Sequence, residues 1–324
     1  MIQELPIGEM EWCDDLSYKK TKEGEENYGY VYEVDLIYPD EIKENTKYYP
    51  FCPENIKPDV SKFSDYQKEH LPKHYRPSEK LILTQTDKKN YIVEGRMLDW
   101  LLDHGMKLER VHKKLIYKKS KWLKNYIEFN IEKRKIAKAN KDANGRAAPD
   151  KFGDTFFKLM NNAFYGKTLE NVRNRQNIEV VYNGDRFKQL SRKPTYKRTT
   201  MFSNEVVAVH LKRANVKHDK FNYIGFTILE LAKLFMYSFV YDYVEPAYGQ
   251  RPGSTNGNNY KLHYTDTDSF FLELVVPFDS SLDIEIEKIK DIIHPNDLCK
   301  VKDESGKNDY IKDCLLYTSP SPRD

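Results

Sequence analysis

The stretch Lys261-Leu262-His263-Tyr264-Thr265-Asp266-Thr267-Asp268-Ser269-Phe270-Phe271-Leu272 decides how this chain is read, because two carboxylates sit in a short polar turn between two apolar runs of strand length. β-Branched and aromatic flanks around such a turn predict a hairpin that lifts Asp266 and Asp268 to its tip. Side chains two apart on an extended backbone point the same way. Carboxylates that converge resist ionisation unless cations lie between them. A pair of Mg²⁺ ions, or Mn²⁺ in their place, supplies that charge; such ions also activate an attacking hydroxyl and stabilise a leaving group in an in-line displacement. Asp and Thr are ordinary turn residues too, so a solvated Asp-Thr-Asp turn is the competing reading of these residues taken alone.

A second motif lies upstream. Residues 156–168 read Phe-Phe-Lys-Leu-Met-Asn-Asn-Ala-Phe-Tyr-Gly-Lys-Thr, free of Pro and with Gly only near the end, which predicts a helix running into a stop at Gly166. At about 100° per residue, Lys158, Asn162 and Tyr165 share one narrow face and Phe156, Met160 and Phe164 share the opposite one, which is expected to be core. The polar face offers a cation, an amide and an aromatic ring in a row, suited to a triphosphate, a base-pair edge and a deoxyribose; an ordinary amphipathic helix with a solvated Lys is the alternative. One helix earlier, residues 126–139 place Arg134 and Lys138 one turn apart, able to grip one polyanion together. Two antiparallel helices would bring these cations and Lys158 to a single phosphate group.

These residues resemble family B DNA polymerases, whose patterns are K-x-x-x-N-S-x-Y-G in the fingers and Y-x-D-T-D-S in the palm. Lys158, Asn162, Tyr165 and Gly166 fit the first, with Ala163 in place of Ser, and Tyr264 to Ser269 fit the second in full. Arg134 and Lys138 match the R-x-x-x-K of the preceding fingers helix. Thr267 between the carboxylates argues against reverse transcriptases, which use adjacent Asp residues. The segment Asn161-Asn162-Ala163-Phe164-Tyr165-Gly166-Lys167-Thr168-Leu169-Glu170-Asn171-Val172-Arg173 is similar to the protein-primed branch found in Maverick/Polinton elements and related viruses. So are Gly29-Tyr30-Val31-Tyr32-Glu33-Val34-Asp35-Leu36-Ile37-Tyr38-Pro39 and Val216-Lys217-His218-Asp219-Lys220.

The resemblance implies an α+β polymerase right-hand fold, with an antiparallel palm sheet and helical fingers. It further implies two-metal nucleotidyl transfer to a 3′ or protein hydroxyl. Asp268 would be the direct ligand of the two ions and Asp266 its partner. Lys158, Arg134 and Lys138 would neutralise the triphosphate, Tyr165 would pack on the deoxyribose and Asn162 would support the nascent pair. Gly166, Lys167, Tyr264 and Thr267 would contact DNA. The implied partners are primer-template DNA, deoxynucleoside triphosphates and a terminal priming protein. The rival reading, from a different class, is a non-catalytic nucleic-acid-binding relic of such a polymerase.

Composition bounds these readings. The 324 residues include 39% hydrophobic residues and 24 Tyr, enough for two globular domains. The net charge of +3 is small but uneven: residues 107–146 hold fourteen Lys and Arg against four acids, and residues 186–220 hold ten against two. Such local excess suits a phosphate-tracking channel, with Tyr117, Trp122, Tyr126 and Phe187 interleaved as stacking surfaces; solvated basic helix faces are the bland alternative. Four Cys without C-x-x-C spacing give neither a zinc site nor a disulfide framework, so a reducing compartment, nucleus or cytoplasm, is expected. No membrane association is expected, since no run reads as long enough to span one and the first residues lack the regions of a signal peptide.

The expected organisation is a palm-to-fingers link with a terminal-protein-type insertion (1–105), helical fingers (106–175), a basic strand-rich insertion (176–222) and the palm with its catalytic hairpin (223–313). A third metal carboxylate, from D-x-x-S-L-Y-P or D-x-N-N-L-Y-G, is expected beside the hairpin and is not found. Glu33 to Pro39 imitates it out of register, so the chain is read as starting just past that Asp and as lacking the exonuclease domain. Residues 314–324, Cys-Leu-Leu-Tyr-Thr-Ser-Pro-Ser-Pro-Arg-Asp, read as a translated sequencing adapter and are set aside from fold reasoning. The K-x-Y segment that holds the primer strand is expected just after Asp313 and is not seen.

Overall fold

The computed structural model describes residues 1–21, 27–140, 148–249, 260–266, 269–274, 284 and 287–293, with the backbone alone described at Asp266. Thr267, Asp268, residues 141–147 and 250–259, most of the segment after the hairpin and the 314–324 tail lie outside these residues. The fold is mixed α+β. The chain opens with β1 (Leu5–Trp12), β2 (Tyr28–Ile37), α1 (Asp40–Lys43), β3 (Glu54–Ile56), α2 (Asp65–Glu69), β4 (Lys80–Ile82), β5 (Lys88–Glu94) and α3 (Gly95–Asp103). Next come β6 (Lys107–Ser120), α4 (Lys124–Ala139), α5 (Lys151–Thr168), β7 (Gln176–Val181), α6 (Gly184–Ser191), β8 (Tyr196–Met201) and β9 (Val207–Lys212). Then follow α7 (Asn222–Ser238), a π turn (Phe239–Val244), α8 (Glu245–Tyr248), β10 (Tyr260–Asp266) and β11 (Ser269–Leu274).

Two compact units result, the first from residues 1–11, 23–29 and 116–229, the second from 12–22, 30–115 and 230–324. In the first, β1 lies beside the end of β6. There the ammonium of Lys119, its side chain buried, meets Glu4 at 3.0 Å. Gly29 admits no larger residue, because a Cβ would fall 2.4 Å from the Tyr117 ring. Helical residues were expected from 106, yet 107–120 form a strand, in which Tyr117 and Lys119 are buried at alternate positions and the β-branched Val111 and Ile116 lie half-buried. The three-stranded sheet β7-β9-β8 is antiparallel throughout, and Val181, Val209 and Leu211 on one face pack against Leu190 of α6.

α4 and α5 form an antiparallel helical pair. Ala137 lies against Gly153, Asn130 bonds Asn161 at 2.7 Å and Trp122 meets Phe164 at 5.7 Å, so positions descend on one helix as they ascend on the other. Gly153 sits where a Cβ would come 3.1 Å from Ala137, which is what lets the helices approach. This seam corrects the expected core face. Gly153 and Thr168 are buried, and Phe157, Asn161 and Phe164 are half-buried, whereas Phe156 and Met160 are exposed. Periodicity located an apolar stripe, but the closest approach of the partner helix follows the small Gly153 rather than the largest rings.

In the second unit β2 lies between β5 and β6. Tyr32, Val34 and Leu36 are fully buried by alternation along β2, while the intervening Glu33 and Asp35 take the other face. Lys88, with no exposed side-chain surface, donates to Glu54 at 2.6 Å and to the Thr84 hydroxyl and carbonyl at 2.8 and 3.0 Å. A fully bonded ammonium is what makes burial of that charge tolerable. The helical run Asn222–Tyr248 corrects another expectation: it is long and apolar enough, at a mean hydropathy of 1.4, to cross a membrane by length and composition. Its most apolar window is 56% buried, and Phe239, Val240, Val244 and Tyr248 pack with Tyr260, Ile289 and Ile292. We therefore read it as a core helix.

Candidate functional site

Two sets of side chains carry chemistry, one in each unit. In the first, α5 begins at the Asp150 cap, whose side chain accepts from the Gly153 amide. That start sets Asp154 in the first turn and Lys158 one turn on. Arg134 of α4 donates through Nε to Asp154 at 2.5 Å, and Lys138 Nζ lies 3.9 Å from the same oxygen. The Arg134 hydrogen bond holds the Asp154 carboxyl below its usual range, and the charges of Arg134, Lys138 and Lys158 add to the effect. Two cations of α4 thus hold one carboxylate of α5, and Lys158 adds its charge from beyond ion-pair distance.

The rest of the polar stripe follows the same helix. Lys158 and Asn162 are exposed and Tyr165 is half-buried, its phenol pKa raised by burial. Gly166 does not stop the helix: α5 runs to Thr168, whose hydroxyl bonds the Tyr165 carbonyl at 2.7 Å. No atom lies within 4 Å of a Cβ built at Gly166, so that flank of the helix is open.

Beyond the helix, Glu170 gathers Arg175 through two nitrogens at 2.9 and 2.7 Å, Lys220 at 3.3 Å and Lys167 at 3.4 Å. The bidentate Arg175 contact dominates and brings the carboxyl pKa down to about 2. Because this value is lower in the folded than in the unfolded chain, the stabilisation is present above roughly pH 4.5, the ordinary glutamate range, and fades as pH falls toward the folded value. The expected result is that wild type exceeds Glu170→Gln in melting temperature at pH 7, and that the gap closes between about pH 4.5 and 2. A gap that stays constant down to pH 2 would show that Glu170 gains nothing from its ionisation.

In the second unit, β10 and β11 pair with Asp266 opposite Ser269, so Thr267 and Asp268 make the connection between them. Phe270, Leu272 and Leu274 turn inward onto the core with Tyr260, and Ser269, Phe271 and Glu273 face out. The pairing shifts between Leu262 and Tyr264, a bulge at His263 that leaves Tyr264 exposed against Phe271, with ring centres 5.7 Å apart. His263 bonds Glu273 at 2.6 Å, which accounts for it as a strand residue. Among the described residues no cluster of three or more His, Cys, Asp or Glu could hold a metal ion. Glu33 and Asp35 do not offer a substitute. Lys113, Asn90 and the Lys113 charge draw down the Glu33 pKa, and the Asn90 amide and His112 do the same for Asp35. Carboxylates already answered by cations are poor ligands for another.

Comparison with protein-family models gives no match, and comparison with curated proteins gives none. Among solved structures the chain is similar to Phi29 DNA polymerase in an orthorhombic crystal form, at 15% identity and a TM-score of 0.46. The likeness is partial and distant. It covers 92% of this chain, and the chain spans 39% of that polymerase.

Sequence reasoning passed over Asp154, although its place four residues before Lys158 was a legible signal for an ion pair on one helix face. It also passed over the Asn130–Asn161 bond and Glu170. Those two depend on the register of α4 against α5 and on the chain's return to Lys220, which no local pattern records.

Proposed function

We propose that this chain belongs to a DNA-directed DNA polymerase of family B, in the protein-primed branch, and carries its fingers and palm residues. The observation that carries the reading is the convergence of Arg134 and Lys138 of α4 onto one anion of α5, one turn before the exposed Lys158. That is the arrangement a nucleoside triphosphate requires, and the two helices bearing it also present Asn162 and Tyr165 along the same stripe. The hairpin supports the reading from the other unit, since its strands pair up to Asp266 opposite Ser269, on either side of Thr267 and Asp268 in the sequence. Asp266 and Asp268 offer hard oxygen donors and would hold Mg²⁺, which in such enzymes lowers the cost of the attacking and leaving oxygens' charge. Residues 1–105 are assigned to the palm-to-fingers link, 106–175 to the fingers, 176–222 to a basic insertion and 223–313 to the palm. Primer-template DNA, deoxynucleoside triphosphates and a terminal priming protein are the assigned partners.

The test is primer extension with Mg²⁺ and all four deoxynucleotides, by the chain joined to an upstream segment bearing the D-x-N-N-L-Y-G carboxylate. Extension of the primer is expected, with loss of most activity in Lys158→Ala. Primer-template binding without extension would favour the non-catalytic relic.

A further inference from the structure

Resting on the triphosphate reading of this cluster, we propose that Asp154 is a built-in occupant of the phosphate position, one that holds Arg134 and Lys138 together beside Lys158 when no nucleotide is bound and is displaced by the incoming phosphates. Asp154 would then be a positioning residue that sets nucleotide affinity.

Five observations lead there. Asp154 has no part in capping α5, a role filled by Asp150. Its contact with Arg134 runs through the single Nε, whereas Arg175 grips Glu170 with two nitrogens, so the Asp154 pair is the more easily opened of the two. All its partners are reachable from solvent, the side chains of Asp154, Arg134 and Lys138 being 32%, 34% and 56% exposed. Arg134 and Lys138 on one carboxylate, with the exposed Lys158 one turn along α5, leave an excess positive charge that a polyphosphate would neutralise more fully than Asp154 does. The first-turn position adds the field of the helix terminus, which favours an anion there whether it is carboxylate or phosphate.

The two roles predict opposite signs. A purely structural Asp154 would weaken anion binding when neutralised, because its cations would splay. A displaced occupant would strengthen it, because the phosphates no longer compete with a tethered carboxylate. The experiment titrates inorganic tripolyphosphate, without metal, into the full chain and into Asp154→Asn, Asp154→Ser, Glu132→Gln and Arg134→Gln, with circular dichroism to check the fold.

Asp154→Asn and Asp154→Ser are expected to bind about fivefold more tightly than wild type, the scale of an exposed charge pair. The gain should shrink as salt rises. Glu132→Gln, which removes the same charge from an exposed position on α4, should change binding much less, and Arg134→Gln should lose it. In primer extension the Asp154 variants should show a lower KM for deoxynucleotides with little change in kcat. Unchanged or weaker binding by both Asp154 variants, with binding still lost in Arg134→Gln, overturns the displacement proposal and leaves the triphosphate reading standing. Absence of tripolyphosphate binding in every protein overturns both.

Discussion

Asp268→Asn, in the chain joined to an upstream segment bearing the D-x-N-N-L-Y-G carboxylate, is expected to cut nucleotide incorporation by at least about 10²-fold while primer-template affinity stays within about twofold of wild type, the scale on which one charge-stabilising group at a reacting centre acts. The reason is that Asp268 is assigned to the metal ions and not to the DNA. The substitution keeps shape and removes charge, so one oxygen donor remains but the hard cations are no longer neutralised. Single-turnover incorporation and fluorescence anisotropy with labelled primer-template separate the two effects. Ser269→Ala, whose residue is held in the hairpin opposite Asp266, serves as the local control and should retain most activity. Equal incorporation by Asp268→Asn and wild type would remove Asp268 from the chemistry.

The second large effect is on stability. Tyr237 is 1% exposed in the second unit and packs among Tyr49, Phe51, Trp100 and Tyr241, with ring centres 4.6 to 6.3 Å away. Its hydroxyl donates to the Pro50 carbonyl at 2.9 Å. Tyr237→Ala removes the ring from a site whose neighbours are themselves rigid aromatics, so the cavity cannot close. The expected cost is about 3–5 kcal/mol, read as a lower urea midpoint. Tyr237→Phe keeps the ring and strands the carbonyl, with an expected cost of about 1 kcal/mol. If the Ala variant lost no more than the Phe variant, the aromatic cluster would not be the close-packed core it forms here.

What the sequence made legible was local. The hairpin could be read because alternation and turn chemistry coincide within residues 260–274, and β10 and β11 pair across that turn. The helices of the Lys158 stripe could be read because they lack breakers. The face that packs could not, since it depends on Gly153 meeting Ala137 across a helix pair whose register is set by tertiary contacts. The strand at 107–120 was hidden by its lysines, which read as helix formers and are depleted in strands, although Lys114 and Lys119 are buried here. Of the candidate site, the cations were legible as motif residues, and the carboxylate that holds them was not.

Asp242 lies in the π turn Phe239–Val244 and accepts from Trp100 Nε1 at 3.1 Å and pairs with His104 at 2.8 Å. A π turn carries one more residue than an α turn over a similar rise, and Pro246 follows directly, where it has no amide to give the ladder. The numbering of faces therefore slips by one position across 239–244. A helical wheel drawn straight from Asn222 to Tyr248 assigns the wrong side to everything past the turn. Deleting a single residue there would remove the extra one and restore an α turn, leaving Val244 and Tyr248 on the core that they share with the hairpin strand at Tyr260, whereas the same deletion within α7 would rotate both by about 100°.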